Sequence, residues 1–193
     1  KSETHFYDPA ARSCALFTHE VMKQKLGFTL EDPNGHWKDL LTWADRIDGD
    51  VFESAQEIVE LKNPAFHLMI WLRSNRDPEK MSRTIEKMGR VSIAELVALP
   101  WIAKDVPALL EAHQHSVELI RKRLKRFGPV VAYDLAEDEI EAHSGFAAYM
   151  HEPSATYSVG LVHSDKGAGI SVGCNPWAPV VGPKNIASIC EHY

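Results

Sequence analysis

Apolar positions in the first half of the chain recur every three or four residues, which is the period of an amphipathic α-helix. Between Asp8 and Gly27 six apolar residues keep this period: Cys14, Leu16, Phe17, Val21, Met22 and Leu26. Asp8-Pro9 predicts the helix start, because an Asp can cap the first turn and a proline suits the first helical position. Gly27 predicts its end.

Start signals of this kind recur and predict further helices. A turn at residues 32–35 precedes a helical segment with Trp37, Leu40, Leu41 and Trp43. Other predicted starts are Ser54, Asn63-Pro64, Asp77-Pro78 and the capping-box pattern Ser92-x-x-Glu95.

The most regular segment runs from about residue 104 to residue 127 and predicts one long helix. Its apolar seam alternates steps of four and three: Val106, Leu110, His113, Val117, Ile120, Leu124 and Phe127. Its end carries five cations: Arg121, Lys122, Arg123, Lys125 and Arg126. Cations at the negative end of a helix dipole are the favoured interpretation, and a phosphate-facing patch is the alternative.

After Gly128-Pro129 the pattern changes to short runs typical of β-strands, at residues 130–133, 157–163 and 168–174. A final helix is predicted from Asn185 onward. The sequence therefore predicts an α/β protein, with a mainly helical part over residues 1–127 and a small α+β part over residues 128–193.

Composition narrows the classes of function. Of 193 residues, 45% are hydrophobic and 25% are charged, which is typical of a globular protein with a real core. The net charge of −6 argues against a general nucleic-acid-binding surface, although a bound metal ion would still allow an anionic substrate. Three cysteines without a C-x-x-C pattern favour a reduced, cytoplasmic protein, and no apolar run predicts a membrane partner.

Most familiar catalytic motifs are missing: the sequence has no H-E-x-x-H, zinc spacing, P-loop or G-x-S-x-G. His113 lies on the apolar seam and is interpreted as a packed, hydrogen-bonded core histidine. Asp45 and Asp48 share one face of a helix end, and buried together they would repel unless a cation or an arginine lay between them. In the simpler alternative Asp48 caps the helix end and Asp45 pairs with a surface arginine.

Three segments resemble the metal-dependent phosphoesterases that are named after an Asp-His-His motif. Trp43-Ala44-Asp45-Arg46-Ile47-Asp48 resembles the last motif of their catalytic domain. Residues 169–177 and 185–190 resemble their associated C-terminal domain, where a strand precedes an Asn-led helix. Residues 8–14 resemble the segment that follows the Asp-His-His motif, so the resemblance covers nearly the whole chain.

The resemblance implies roles for particular residues. Asp45 would ligate a divalent metal ion, Mn²⁺ with Mg²⁺ as the alternative. Asn185 would contact the substrate at the start of the last helix, and Asn175 and His163 are weaker candidates for the same role.

The resemblance also has departures. The Asp-His-His motif and the other metal-binding motifs would precede Lys1, and the family's Gly-Gly-Gly-His loop would follow Tyr193. Asp45 is therefore the only family metal ligand in this sequence. Gly173 stands where many members have an arginine that holds a substrate phosphate.

The implied function is hydrolysis of a small phosphodiester or nucleotide-like phosphate, such as a short oligonucleotide, by a metal-activated water. An exopolyphosphatase is one alternative, and an aromatic platform at Tyr157 or Trp177 would favour nucleotides over polyphosphate. A non-catalytic phosphate- or nucleotide-binding module is another, because the main metal motifs are absent from this sequence. The sequence leaves open whether the protein forms a homodimer.

Overall fold

The computed structural model describes residues 5–138, 140, 143–164 and 167–178, together with the single residues 186, 188 and 191. These residues form an α/β fold, as the sequence predicts. The helices are α1 (Cys14–Leu26), α2 (His36–Asp48), α3 (Ala55–Glu60), α4 (Pro64–Ser74), α5 (Pro78–Lys87), α6 (Ile93–Val97), α7 (Pro100–Ala103), α8 (Val106–Arg123) and α9 (Phe146–His151). The strands are β1 (Lys125–Phe127), β2 (Val130–Leu135), β3 (Tyr157–Ser164) and β4 (Gly167–Cys174). No helix in this described part is long and apolar enough to cross a membrane.

Several helices begin at the caps that the sequence marks. The side chains of Ser54, Asn63 and Asp77 each accept a hydrogen bond from a backbone N–H of the first helical turn. Ser92 and Glu95 form the predicted reciprocal capping box at the start of α6. These local interactions satisfy backbone donors that have no partner within the helix, and they fix where each helix starts.

The first helix begins later than predicted. Its cap is Ser13, whose hydroxyl accepts from the backbone N–H of Leu16 at 3.1 Å. The Asp8 carboxylate instead accepts from the N–H of Ala10 at 2.9 Å and closes a turn ahead of the helix. The predicted start at Asp8 was therefore wrong. The predicted end at Gly27 is confirmed, with the left-handed backbone (φ 64°) that a glycine adopts without strain.

The long helix α8 ends at Arg123, so the prediction of a helix to residue 127 was wrong at its C-terminal end. Lys125–Phe127 forms β1, which pairs antiparallel with the start of β2. Gly128, with φ 59°, turns the chain between these two strands. In this hairpin the backbone groups of Lys125–Phe127 pair with β2 and do not form another helical turn.

The first of two compact units comprises Lys1–Glu53 and Lys62–Val106. Its core is centred on Phe66 and Trp71 of α4, each 1% exposed. The Phe66 ring makes an edge contact with Trp43 of α2, with ring centroids 5.4 Å apart. Because α2 also packs against α1 and contacts α6, it is held from more than one side.

The second unit comprises Ser54–Leu61 and Pro107–Tyr193. Its sheet has the order β1-β2-β3-β4, in which β2 and β3 are parallel and the two outer pairs are antiparallel. The crossover between β2 and β3 carries α9, which packs against α3. His113 of α8 is buried, with its Nε2 2.8 Å from the carbonyl oxygen of Val59, so the predicted packed core histidine is confirmed.

The two compact units and the two predicted domains divide the chain at different residues. The chain passes from one unit to the other after Glu53, after Leu61 and after Val106, and the predicted boundary near residue 127 lies inside the second unit. Buried residues of α8, among them Val117 and Ile120, belong to this second unit.

The pairing of β2 with β3 predicts that a side chain at position 160 is not tolerated. Tyr133 lies opposite Gly160, and a Cβ at this glycine would lie 2.4 Å from Cζ of the tyrosine ring. Because Tyr133 is 4% exposed, its ring has little free space to move into. Gly160→Ala should therefore lower the free energy of unfolding by about 1–3 kcal/mol, measured by urea unfolding.

Gly169→Ala is the matched control, because a Cβ there would meet no atom within 4 Å. Equal stability of the two variants would contradict the packing of Tyr133 on Gly160.

Candidate functional site

Asp45 lies in the last turn of α2 and is buried, with 7% of the residue exposed. Asp48, three residues further on, is exposed. The backbone N–H of Gly49 donates to the carbonyl oxygen of Asp45 at 3.1 Å, and the helix ends there. The two carboxylates therefore do not share a buried environment, and only Asp45 needs a compensating partner.

That partner is Arg12, whose Nη2 lies 2.6 Å from Oδ2 of Asp45. Arg12 directly precedes Ser13, the cap of α1, so the start of this helix fixes the backbone from which the arginine extends. Its stem passes close to Gly49, where an added Cβ would lie 3.1 Å from the Cβ of Arg12. The arginine that the sequence left open as an alternative partner for Asp45 is thus present.

A pocket of about 300 Å³ lies beside this ion pair, within the first compact unit. Its charged lining residues are Asp8, Arg12, Glu20 and Asp45, and its apolar wall comes from α1 and the segment before it: Ala11, Leu16, Phe17 and Val21. Three carboxylates and one guanidinium give the wall a formal charge of −2. A concave surface of one sign raises the local concentration of ions of the opposite sign, here cations.

Asp45 is the predicted metal ligand, and in this structure its cationic partner is the guanidinium of Arg12. In the part of the chain that the structure describes, no group of three or more His, Cys, Asp or Glu side chains is arranged to hold a metal ion. The described residues therefore do not complete a metal centre, and the metal-ligand role of Asp45 stays a prediction.

The sequence predicts substrate contacts at His163 and Asn185, and the structure describes only the first of them. His163 is exposed near the end of β3, where it lies opposite Ala168 of β4. Its ring is therefore accessible to a ligand. Asn185 lies outside the described residues. Both assignments stay predictions.

Asn175 lies directly after β4, and its side-chain amide hydrogen-bonds to three backbone groups. The residue is 8% exposed, and its Nδ2 donates to the carbonyl oxygens of Pro153 and Ala155 at 3.0 and 2.7 Å. Its Oδ1 accepts from the backbone N–H of Trp177 at 3.0 Å. The amide thus bonds three backbone groups, and its predicted substrate contact stays a prediction.

The basic run at the end of α8 is largely neutralised by neighbouring carboxylates. Three of its five cations form ion pairs at 2.8–2.9 Å: Arg121 with Glu118, Arg123 with Asp138 and Arg126 with Glu152. The first pair lies within α8, and the other two join the helix end and β1 to Asp138 and Glu152. The pairs therefore favour a structural role over a phosphate-facing patch.

A tyrosine–histidine pair in the second unit was missed by the sequence analysis. The hydroxyl of Tyr133 lies 2.6 Å from Nε2 of His143. Burial raises the pKa of Tyr133 to about 12, with a smaller contribution from Tyr149, so the phenol keeps its proton and donates it to Nε2. His143 is exposed as a whole, but burial of the ring edge that faces Tyr133 lowers its pKa. The pair therefore favours a neutral histidine.

Comparison with solved structures supports the fold. The pGpG-specific phosphodiesterase PggH from Vibrio cholerae aligns with 99% of this chain, with a TM-score of 0.76 and 21% sequence identity. The chain spans 66% of the length of that protein. At this identity the match establishes a shared α/β fold. No protein-family model and no curated protein matches the chain.

The lowered pKa of His143 predicts that stability falls in mild acid. Below the unfolded-state pKa of about 6.5 the unfolded chain binds a proton that the folded chain resists, so stability decreases as the pH falls through this value. Urea unfolding at pH 7.5 and pH 5.0 measures the decrease. His143→Gln should show a smaller decrease. An unchanged decrease in His143→Gln would contradict the assignment.

Proposed function

We propose that the protein is a phosphodiesterase that hydrolyses a short nucleotide or similar small phosphodiester, with Mn²⁺ or Mg²⁺ bound at Asp45. The position of Asp45 carries the proposal. It is a buried carboxylate at a helix end, it already has a cationic partner, and it lines a pocket. The fold around it is shared with a solved phosphodiesterase.

The resemblance to the Asp-His-His phosphoesterases supports this role for Asp45. In that family an Asp in the same Ala-Asp context, at a helix end, ligates the metal ion. The ion supplies an activated water and neutralises charge on the leaving oxygen. In this chain Asp45 would hold the ion, and Leu16, Phe17 and Val21 would form the apolar wall of the pocket beside it.

Two observations favour a nucleotide over polyphosphate as the substrate. The rings of Phe146 and Trp177 contact each other edge to face, with centroids 5.7 Å apart, and both residues are partly exposed. Aromatic side chains of this kind stack on nucleobases. Three cations of the basic run are held in ion pairs, so they are less able to line a polyphosphate channel.

A non-catalytic nucleotide-binding module is the second candidate. It is favoured by the lack of a complete set of metal ligands among the described residues. Such a protein would bind the same short nucleotide and leave it intact, so a cleavage assay separates the two functions.

The first test is Mn²⁺-dependent hydrolysis of pGpG, followed by chromatography of the nucleotide products. Asp45→Asn should reduce kcat/KM by about 100-fold or more, because loss of even an outer-shell partner of a metal ligand costs 10–100-fold. Asp48→Asn makes the same chemical change at an exposed carboxylate three residues away and should retain activity.

Cleavage that is equally fast in wild type and Asp45→Asn would remove Asp45 from the site. Binding of pGpG without cleavage under any divalent metal would establish the binding-module alternative instead.

A second test concerns recognition of the base. Trp177→Ala should raise the KM for pGpG by about fivefold or more, because stacking of a base on an aromatic ring is worth roughly 1–3 kcal/mol. Trp177→Phe keeps an aromatic ring and should restore most of the affinity. An unchanged KM in Trp177→Ala would mean that this ring takes no part in recognition of the base.

A further inference from the structure

We propose that the cations along α5 form an accessory surface that binds the phosphate backbone of a single-stranded nucleic acid. This α5 stripe comprises five basic residues: Arg76, Lys80, Arg83, Lys87 and Arg90. None of them lines the pocket beside Asp45. The inference therefore goes beyond the proposed function and does not depend on a metal ion at Asp45.

The cations of the α5 stripe recur in steps of four and three residues. Residues at this spacing lie on one face of an α-helix, and Lys80, Arg83 and Lys87 belong to α5. Arg76 lies just before the helix and Arg90 just after it. The three cations within α5 span two helical turns, or about 10 Å, so they present a short row of positive charge.

Most of this positive charge is not neutralised. Lys80 forms an ion pair with Asp105, with its Nζ 3.2 Å from Oδ2. The other four cations of the stripe are exposed, and they form no salt bridge within the part of the chain that the structure describes. The basic run at the end of α8 differs, because three of its cations are paired with carboxylates. An anionic polymer would therefore meet more uncompensated charge at α5.

The local charge is opposite in sign to that of the whole chain. Residues 76–90 carry five basic and three acidic side chains, a net charge of +2, whereas the chain has a net charge of −6. Of these carboxylates, Asp77 accepts from backbone N–H groups of the first turn of α5. Glu79 and Glu86 form no ion pair with the stripe. Because the rest of the chain is negative, its field directs a polyanion towards the stripe.

Arg83 is held in an arrangement that suits a phosphate group. Its guanidinium lies over the ring of Trp101, with Cζ 4.0 Å from the ring centroid. The ring is itself fixed, because its Nε1 donates to Oγ1 of Thr84 at 3.0 Å. A cation–π contact leaves the charge of the guanidinium in place. The N–H groups along the edge of this exposed guanidinium can therefore bond two oxygens of one phosphate.

The position of the apolar side chains favours nucleic acid over a membrane surface. A helix that binds anionic lipids inserts large apolar side chains below its cations. The exposed large apolar residue of α5 is Ile85, which lies two positions from both Arg83 and Lys87 and so faces away from the stripe. A flexible single strand repeats its phosphates along the backbone and matches several cations in a row.

The experiment measures binding of a fluorescently labelled oligouridylate of about twelve nucleotides to the full chain. Fluorescence anisotropy is recorded with EDTA present, so that no metal-dependent cleavage occurs. With four phosphate contacts, the slope of log K against the logarithm of salt concentration should be about −3. Affinity should therefore fall roughly 50-fold between 50 and 200 mM salt.

Arg83→Gln/Lys87→Gln removes two of these contacts. Its salt slope should change to about −1.5, and its affinity at 50 mM salt should be lower by about tenfold or more. Lys23→Gln/Lys25→Gln is the matched control, because it makes the same change in net charge at two exposed lysines of α1 that do not line the pocket. The control should keep the slope and the affinity of wild type.

A second variant covers loss of folding when Arg83 no longer packs on Trp101. Lys87→Gln/Arg90→Gln leaves that contact intact and should change the salt slope by the same amount. Arg83→Lys keeps the charge but lacks the planar fork of donors, so it should weaken binding and keep the slope of wild type.

Equal weakening in the α1 control would overturn the inference, because binding would then depend on net charge alone. Absence of oligouridylate binding by wild type at 50 mM salt would overturn it as well, and so would binding to anionic phospholipid vesicles in its place. Hydrolysis of pGpG is scored separately. Cleavage without oligouridylate binding would refute the accessory surface and leave the proposed function standing.

Discussion

The contact between Arg12 and Asp45 is the interaction on which the candidate site depends. A buried carboxylate costs several kcal/mol of lost hydration unless a cation or hydrogen-bond donors compensate for it. The 2.6 Å ion pair supplies that compensation and ties the segment before α1 to the end of α2. Both partners line the same pocket and their charges cancel, so its formal charge of −2 comes from Asp8 and Glu20.

Features that depend on neighbours in sequence were predictable. The caps at Ser54, Asn63, Asp77 and Ser92 involve side chains within three residues of the helix starts that they fix, so a reading of the sequence finds them. The alternating apolar pattern predicted β3 and β4 almost to the residue. Asp45 was singled out as a predicted metal ligand because its Ala-Asp context and its place at a helix end are local features as well.

Features that depend on contacts across the chain were not predictable. Arg12 and Asp45 are 33 positions apart, and nothing in the sequence selects this arginine from the others. Tyr133 meets Gly160 only through the register of two parallel strands, which the strand patterns do not specify. At the end of α8 the apolar seam continues to Phe127 as in a helix, yet residues 125–127 pair with β2 and form a strand. These are cases in which tertiary contacts override local preference.

A double-mutant cycle between Arg12 and Asp45 tests the central claim most directly. The free energy of unfolding would be measured in urea, without metal, for wild type, Arg12→Gln, Asp45→Asn and the double variant. The account predicts that each single variant loses stability and that the double variant loses less than their sum, with a coupling energy of about 0.5–3 kcal/mol. Additive losses would contradict it, because they would mean that the guanidinium and the carboxylate do not stabilise each other.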